Sequence, residues 1–182
     1  TGLGQAERSR RGIARTFQIN QLFRGLTVLE NVVLAIAERQ GIASSMFRPL
    51  SSYSEVTDEA MELLGNFELN EDALRRIDEL PYGRQRLVEI VIALGQRPSV
   101  LLLDEPAAGI PSSESQHILD AASALSSDIT VLIIEHDMEI VFSVADYITV
   151  LVSGAVLTEG EPEVIAADER VRAVYLGEVD RG

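Results

Sequence analysis

Residues 99–111 read SVLLLDEPAAGIP, and the fold follows from how an apolar run stops there at two adjacent carboxylates. The four apolar residues 100–103 suit a strand buried on both faces of a parallel sheet, with Asp104 and Glu105 at its carboxyl end. Ligands of open α/β sheets bind at that edge. One carboxylate there can hold Mg²⁺ through water while its neighbour orients or deprotonates an attacking water. Phosphoryl transfer asks for this arrangement. Taken alone, the same stretch equally suits an acidic turn that closes a core strand.

Working outward, the residues before the strand predict a long buried helix. In LPYGRQRLVEIVIALGQRP, residues 80–98, Leu87, Ile90, Val91 and Leu94 repeat at helical spacing, and Val88 and Ile92 widen the stripe. The amino end of that helix at Tyr82, Gly83 and Arg84 is glycine-containing and dipole-positive, a ready anion site. After the strand, Ile118, Leu119, Ala122 and Leu125 mark one face of another helix. A second apolar strand, residues 130–134, then runs into Glu135, His136 and Asp137. Two strands with a helix between them form a right-handed parallel unit, so His136 is expected at the same sheet edge as Glu105. The alternative for His136 is a hydrogen-bonded structural residue at a strand end.

Towards the start, residues 1–11 are rich in Gly and Arg without an apolar period and read as a connector. GIARTF, residues 12–17, reads as a short strand ending at Gln18. Thr27 and Glu30 form a capping-box pattern before VLENVVLAIAERQ, stopped by Gly41. Residues 55–67 predict a second helix, and residues 68–79 short helical turns. Residues 147–152 and 155–158 read as a hairpin, with short helices opening at Pro162 and near Val171.

Composition narrows the classes. The 182 residues are 46% hydrophobic and 24% charged, as expected of a folded globular chain. No apolar run is long enough to cross a bilayer as a helix, and the absence of cysteine excludes disulfides and thiolate metal sites. A net charge of -14 argues against nucleic acid as the main partner. Five arginines lie among residues 1–24 with Glu7 as their one acidic neighbour, so the acidity lies downstream. All 15 basic residues are arginine. The lysine of a GxxxxGK[ST] phosphate loop is therefore absent from this sequence.

The ordered series Gln18, LPYGRQR (80–86), LLLDEP (101–106), AGIPSSE (108–114) and EHD (135–137) resembles the ATP-binding cassette (ABC) family of transporter ATPases. GIARTFQ, LPYGRQR and the ending VRAVYLGE are most similar to the subunits that energise uptake of branched-chain amino acids. The resemblance implies an α/β fold: a P-loop NTPase-like, mostly parallel sheet flanked by helices, with a helical subdomain and without the N-terminal phosphate-loop part. It implies a connector and strand into the Q-loop over residues 1–18, a helical subdomain with the signature motif over 19–97, and a catalytic α/β core over 98–182.

The same resemblance implies ATP and Mg²⁺ as cofactors and assigns roles. Gln18 would be the Q-loop glutamine, touching Mg²⁺ or the attacking water. Asp104 would be the metal carboxylate, Glu105 the general base and His136 the γ-phosphate contact. Leu80, Pro81, Tyr82, Gly83, Arg84 and Gln85 would form the signature motif that closes over ATP held by a second ATPase subunit, identical or not. Integral membrane permease subunits would be the other partners, met through the helical subdomain at the cytoplasmic face of the inner or plasma membrane. Direct insertion into the membrane and nucleic-acid binding are not expected.

Departures from the family pattern are concentrated in two places. Pro81, Tyr82 and Arg84 stand where LSGGQ has serine, glycine and glutamine, and Pro111 stands where Asp or Asn is usual. The chain opens at Thr1 and has its first methionine at Met46, so a longer polypeptide is expected, and strand 100–103 is expected to show an apolar edge without its phosphate-loop neighbour. Two other readings remain: a non-catalytic interaction module derived from such an ATPase, and a soluble cassette ATPase of DNA repair or translation.

Overall fold

Thr27 opens the first long helix, α2 (Val28–Arg39), with the reciprocal cap expected of its sequence. Its backbone amide donates to Glu30 Oε2 at 2.7 Å, and the Glu30 amide donates to Thr27 Oγ1 at 3.2 Å. The Thr27 amide, together with the Thr27 hydroxyl that donates to Glu30 Oε2 at 3.0 Å, holds the Glu30 carboxyl below its ordinary value, the backbone bond contributing most. One stripe of α2, Val28, Val32 and Ile36, is fully buried. The computed structural model describes residues 2–16, 22–42, 54–110, 118, 122, 125 and 128–176. They fall into two compact units, 1–134 and 135–182.

In the first unit, a short helix α1 (Gln5–Arg10) precedes strand β1 (Ile13–Arg15). The sequence predicts a connector where α1 lies. This helix is mostly exposed and carries an i,i+4 pair between Glu7 and Arg11, so it has no apolar stripe to betray it. Helix α3 (Ser54–Asn66) buries Val56, Ala60 and Leu64, one residue per turn, against the same core as α2. Residues 68–79 form two 3₁₀ turns, Asn70–Asp72 and Ile77–Glu79. Helix α4 (Tyr82–Gly95) is buried on most sides, as predicted.

Strand β2 (Val100–Asp104) lies between β1 and β3 (Thr130–Ile134) in a three-stranded sheet, parallel to both. The expectation of an apolar edge on β2 is thereby corrected: β2 is paired on both sides. Burial on both faces also fails. Leu101 and Leu103 are buried in the helical core, whereas Val100 and Leu102 are half-buried. On β3 the contrast is stronger, with Leu132 and Ile134 both more than half exposed. Ile118 and Ala122 are buried helical residues. Leu125, expected on the same helix face, lies in a bend and is half-buried, whereas Leu119, Pro111 and Gln18 lie outside the described residues.

Gly12 fixes how β1 joins β2. Its φ of +84° is left-handed, and a Cβ there would come within 2.8 Å of Ser99 Oγ and 3.3 Å of the Ser99 amide. Its carbonyl accepts from the amides of Ser99 and Val100 at 2.8 and 3.0 Å.

The second unit contains helix α5 (Met138–Val144), an antiparallel hairpin of β4 (Ile148–Val152) and β5 (Ala155–Gly160), and helix α6 (Pro162–Ala167). Ile148, Val150, Ile165 and Val171 form its core. The hairpin and the helix opening at Pro162 agree with the sequence.

Glu59 on α3 ties three elements of the first unit together. Arg39 donates to it twice, at 2.9 and 2.7 Å, and Arg97 once more at 3.2 Å. The hydrogen bond from Arg39 is the largest influence and holds the Glu59 carboxyl below its ordinary value of 4.5. A depressed folded-state pKa contributes stability that is complete above the unfolded value and is lost as pH falls through the folded one. Urea unfolding from pH 7 to pH 3 is therefore expected to show a decline starting near pH 4.5 that is smaller in Glu59→Gln. At pH 7 that substitution is expected to cost about 1–3 kcal/mol. A wild-type pH profile in the variant would refute the assignment.

Candidate active site

Asp104 closes β2 opposite Ile134 of β3. Its carboxylate accepts from Arg15 Nη2 at 2.9 Å, and Arg15, at the end of β1, is half exposed. A solvent-facing pair of this kind contributes roughly 1 kcal/mol or less, so the Asp104 oxygens remain available for exchange. Glu105 follows at φ +44°, a left-handed backbone for a non-glycine residue. That conformation costs roughly 1–3 kcal/mol and persists only where surrounding bonds fix it. Here its amide donates to the Ile134 carbonyl at 2.9 Å and its carbonyl accepts from the Ala108 amide at 3.1 Å.

The amino end of α4 supplies the next part of the site. Pro81 is the N-cap and offers no side-chain cap, so the first-turn amides of the helix are not satisfied by a capping side chain. Tyr82 is exposed and Gly83 is buried. Arg84 turns back onto the protein: its Nε donates to Asp72 and its Nη2 to the Glu68 carbonyl at 2.6 Å. Gln85 Nε2 likewise donates to the Leu80 carbonyl at 2.9 Å. Residues Leu80 to Gln85 are thus brought into one turn, with backbone and Tyr82 rather than the Arg84 guanidinium left to face a ligand.

Arg86, one turn into α4, was not singled out by the sequence. It is 2% exposed, and its Nη2 donates to the Asp104 carbonyl at 2.9 Å and to the Glu105 carbonyl at 3.3 Å. Its Nε reaches the Pro106 carbonyl at 3.4 Å, and its Nη1 pairs with buried Glu89 at 2.6 Å. The signal was a charged pair at i,i+3 within an otherwise apolar helix. A buried charge needs a partner, and Glu89 provides only part of it.

His136 belongs to the second unit. Its side chain is largely exposed, with Nδ1 3.9 Å from Glu135 Oε2. Asp137 beside it caps α5, accepting from the amides of Glu139 and Ile140 at 2.9 and 3.4 Å. Among the described residues no three His, Cys, Asp or Glu side chains cluster as a ready-made metal cage. The solvent-reachable Asp104 carboxylate, paired with Arg15, fits Mg²⁺, which keeps several waters and takes one or two carboxylates together with phosphate oxygens.

Residues 3–108 match the family profile described as ABC transporter. The chain belongs to that family. Residues 155–181 match the ABC profile described as branched-chain amino acid ATP-binding cassette transporter. The high-affinity branched-chain amino acid transport ATP-binding protein LivG of Escherichia coli K12 is 37% identical over 186 residues, covering 97% of this chain and 72% of LivG. BraF of Pseudomonas aeruginosa, named for the same transport, is also 37% identical with the same coverage. Among solved structures, an ATP-binding cassette of an ABC transporter in its ADP conformation superposes with a TM-score of 0.78 at 32% identity, covering 97% of this chain and 73% of that one. A dimeric ATP-binding cassette in a post-hydrolysis state, bound to ADP and Pi, gives a TM-score of 0.71 at 26% identity, covering 88% of this chain and 68% of that one. The α/β sheet flanked by helices is therefore the ABC cassette fold, and the chain is similar along nearly its whole length to ATP-binding subunits of branched-chain amino acid transporters.

Within this ABC chain, Arg84 holds the 68–72 turn against the amino end of α4. Arg84→Ala is expected to lower the free energy of urea unfolding by about 1–3 kcal/mol, because Asp72, which is largely buried, then keeps, among the described residues, the Arg75 side chain at 2.8 Å as its ion-pair partner. Unchanged stability would mean that the Arg84 contact contributes nothing to the folded state.

Proposed function

We propose that the chain is a portion of an ABC ATP-binding subunit that, as a dimer, couples ATP hydrolysis to uptake of branched-chain amino acids. The observation that carries this reading is the Asp104–Glu105 turn. Two carboxylates stand at the end of the central strand, and the second is fixed in a left-handed backbone beside the uncapped amino end of α4.

In this reading Mg-ATP, when bound, supplies the electrophilic phosphorus. Asp104 would exchange Arg15 for the water shell of Mg²⁺, and Glu105 would accept the proton of the attacking water. The α4 amides around Gly83 would receive phosphate held by the opposite subunit. Gln18 and His136 retain the Q-loop and γ-phosphate roles that the family resemblance gives them. Residues 1–18, 19–97 and 98–182 would serve as connector and Q-loop strand, helical subdomain, and catalytic core. A second ATPase subunit is supported by likeness to the dimeric cassette that carries ADP and Pi. Without a GxxxxGK[ST] sequence to enclose phosphate, the 182-residue chain alone is expected to bind Mg-ATP very weakly and not to turn it over.

For the permease surface the first unit offers Phe23 and Leu74, 62% and 80% exposed. The segments carrying them are joined where the Leu29 amide donates to the Ala73 carbonyl at 2.9 Å and Val28 to the Arg75 carbonyl at 3.0 Å. Two large apolar side chains this exposed suit a partner's helix better than water. Such a partner would hold the subunit at the cytoplasmic face of the membrane, and among the described residues no helix is long and apolar enough to cross one.

Three tests discriminate this reading. In the assembled transporter, Glu105→Gln is expected to lower kcat by about 10²- to 10⁴-fold with KM for ATP little changed, and wild-type turnover would remove the base assignment. Saturable ATPase activity from the isolated chain, abolished by the same substitution, would overturn the expectation that it is inactive alone. At the surface, Phe23→Asp and Leu74→Asp are expected to reduce co-purification with the permease while leaving the unfolding midpoint within about 0.5 kcal/mol of wild type. Undiminished co-purification would move the permease surface elsewhere.

A further inference from the structure

The geometry points to Arg86 as a positioning residue that fixes the Glu105 backbone to the signature helix, so that the amino end of α4 and the attacking-water carboxylate are set by one buried side chain. The inference rests on the reading of Glu105 as the general base. Its observations are independent of that reading. A 2%-exposed guanidinium donates to the carbonyls of Asp104 and Glu105 at 2.9 and 3.3 Å, and of Pro106 at 3.4 Å. Glu89, one turn further along α4, neutralises it at 2.6 Å.

The three carbonyls flank the left-handed residue, and a backbone in that region is held by its bonds rather than by its own preference. On the carboxyl side the two segments also lie close together. Gly109 has φ +73°, and a Cβ built there would lie 3.9 Å from the Tyr82 ring, so the first turn of α4 lies close to the segment after Pro106. Gly83 sits between Tyr82 and Arg86 on the same helix. A shift of the helix end towards or away from an anion therefore carries the donors of Arg86 with it, and the backbone of Glu105 follows.

The experiment uses the assembled transporter with substitutions in this subunit. Arg86→Met takes from buried Glu89 its partner at 2.6 Å and is expected to destabilise the fold by itself, so the decisive variant is Arg86→Met combined with Glu89→Leu. Replacing both members of a buried pair by apolar groups of similar volume is often neutral or stabilising. The double variant is expected to assemble with a lowered melting temperature, because the carbonyls of Asp104, Glu105 and Pro106 lose the Arg86 donor, while kcat at a temperature where it is fully folded falls about 10- to 100-fold, the effect of a misplacement of about 1 Å, with KM for ATP within about twofold. Arg86→Lys, which keeps the charge and one donor direction, is expected to lie between wild type and the double variant. Backbone amide exchange at residues 105, 107 and 108 should quicken in the double variant, while that of α4 stays unchanged.

Wild-type kcat in the folded double variant, alongside an inactive Glu105→Gln, would overturn the positioning role and leave the base assignment standing. Wild-type kcat in Glu105→Gln would overturn both.

Discussion

A guanidinium enclosed by protein loses most of its hydration, a penalty of several kcal/mol that a single carboxylate does not reliably offset. Arg86 meets it with Glu89 and with main-chain carbonyls of the turn that follows β2. Because those acceptors are backbone, the helix cannot slide along the sheet without leaving buried carbonyls unpaired, which costs more than the bonds themselves contribute. The packing beneath enforces the same register. Leu87, Ile90, Val91 and Leu94 of α4 share one core with Leu101 and Leu103 of β2. Gly95 lets α2 approach α4 closely, since a Cβ there would stand 3.3 Å from Ile36 Cγ1.

The sheet is asymmetric for a related reason. Parallel strands are ordinarily covered on both faces, yet burial in this sheet alternates with the side-chain period of two. Leu101, Leu103, Val131 and Ile133 point to the helical core, while Leu132 and Ile134 stand open to solvent. At the carboxyl end of β2, pairing with Ile134 of β3 fixes Asp104 by register, while β1 pairs as far as Leu102, so placement of the carboxylate does not depend on how the open face is covered.

Much of this was legible in the sequence because it is local. Thr27 and Glu30 announce a helix three residues apart, and the apolar period of residues 82–95 announces another, since caps and stripes are written within one or two turns. The abrupt end of residues 100–103 at Asp104 and Glu105 identified the carboxylate turn for the same reason. Other features have no local signature. An apolar run reads alike whether one face of the strand is buried or two, so Leu132 and Ile134 gave no warning of their exposure. Helix α1 turns almost no apolar face inward, and periodicity was silent on it. Arg84 finds Asp72 twelve positions away, and Arg86 finds main-chain oxygens, which every residue carries and no sequence marks.

That every basic residue is arginine gains a structural meaning from these contacts. Lysine concentrates its charge in one hydrated ammonium, whereas the planar guanidinium presents several donors in fixed directions and is less strongly hydrated. The ties that hold the first unit together use this geometry. Arg39 grips both oxygens of Glu59, Arg84 divides its donors between Asp72 and the Glu68 carbonyl, and Arg86 spans a carboxylate and consecutive carbonyls. A lysine at position 86 would satisfy Glu89 but would hold the turn at Glu105 through one donor direction at most. The fold thus uses arginine less as a surface charge than as a rigid multi-donor bracket, and the bracket at residue 86 lies where backbone strain and the acidic turn coincide.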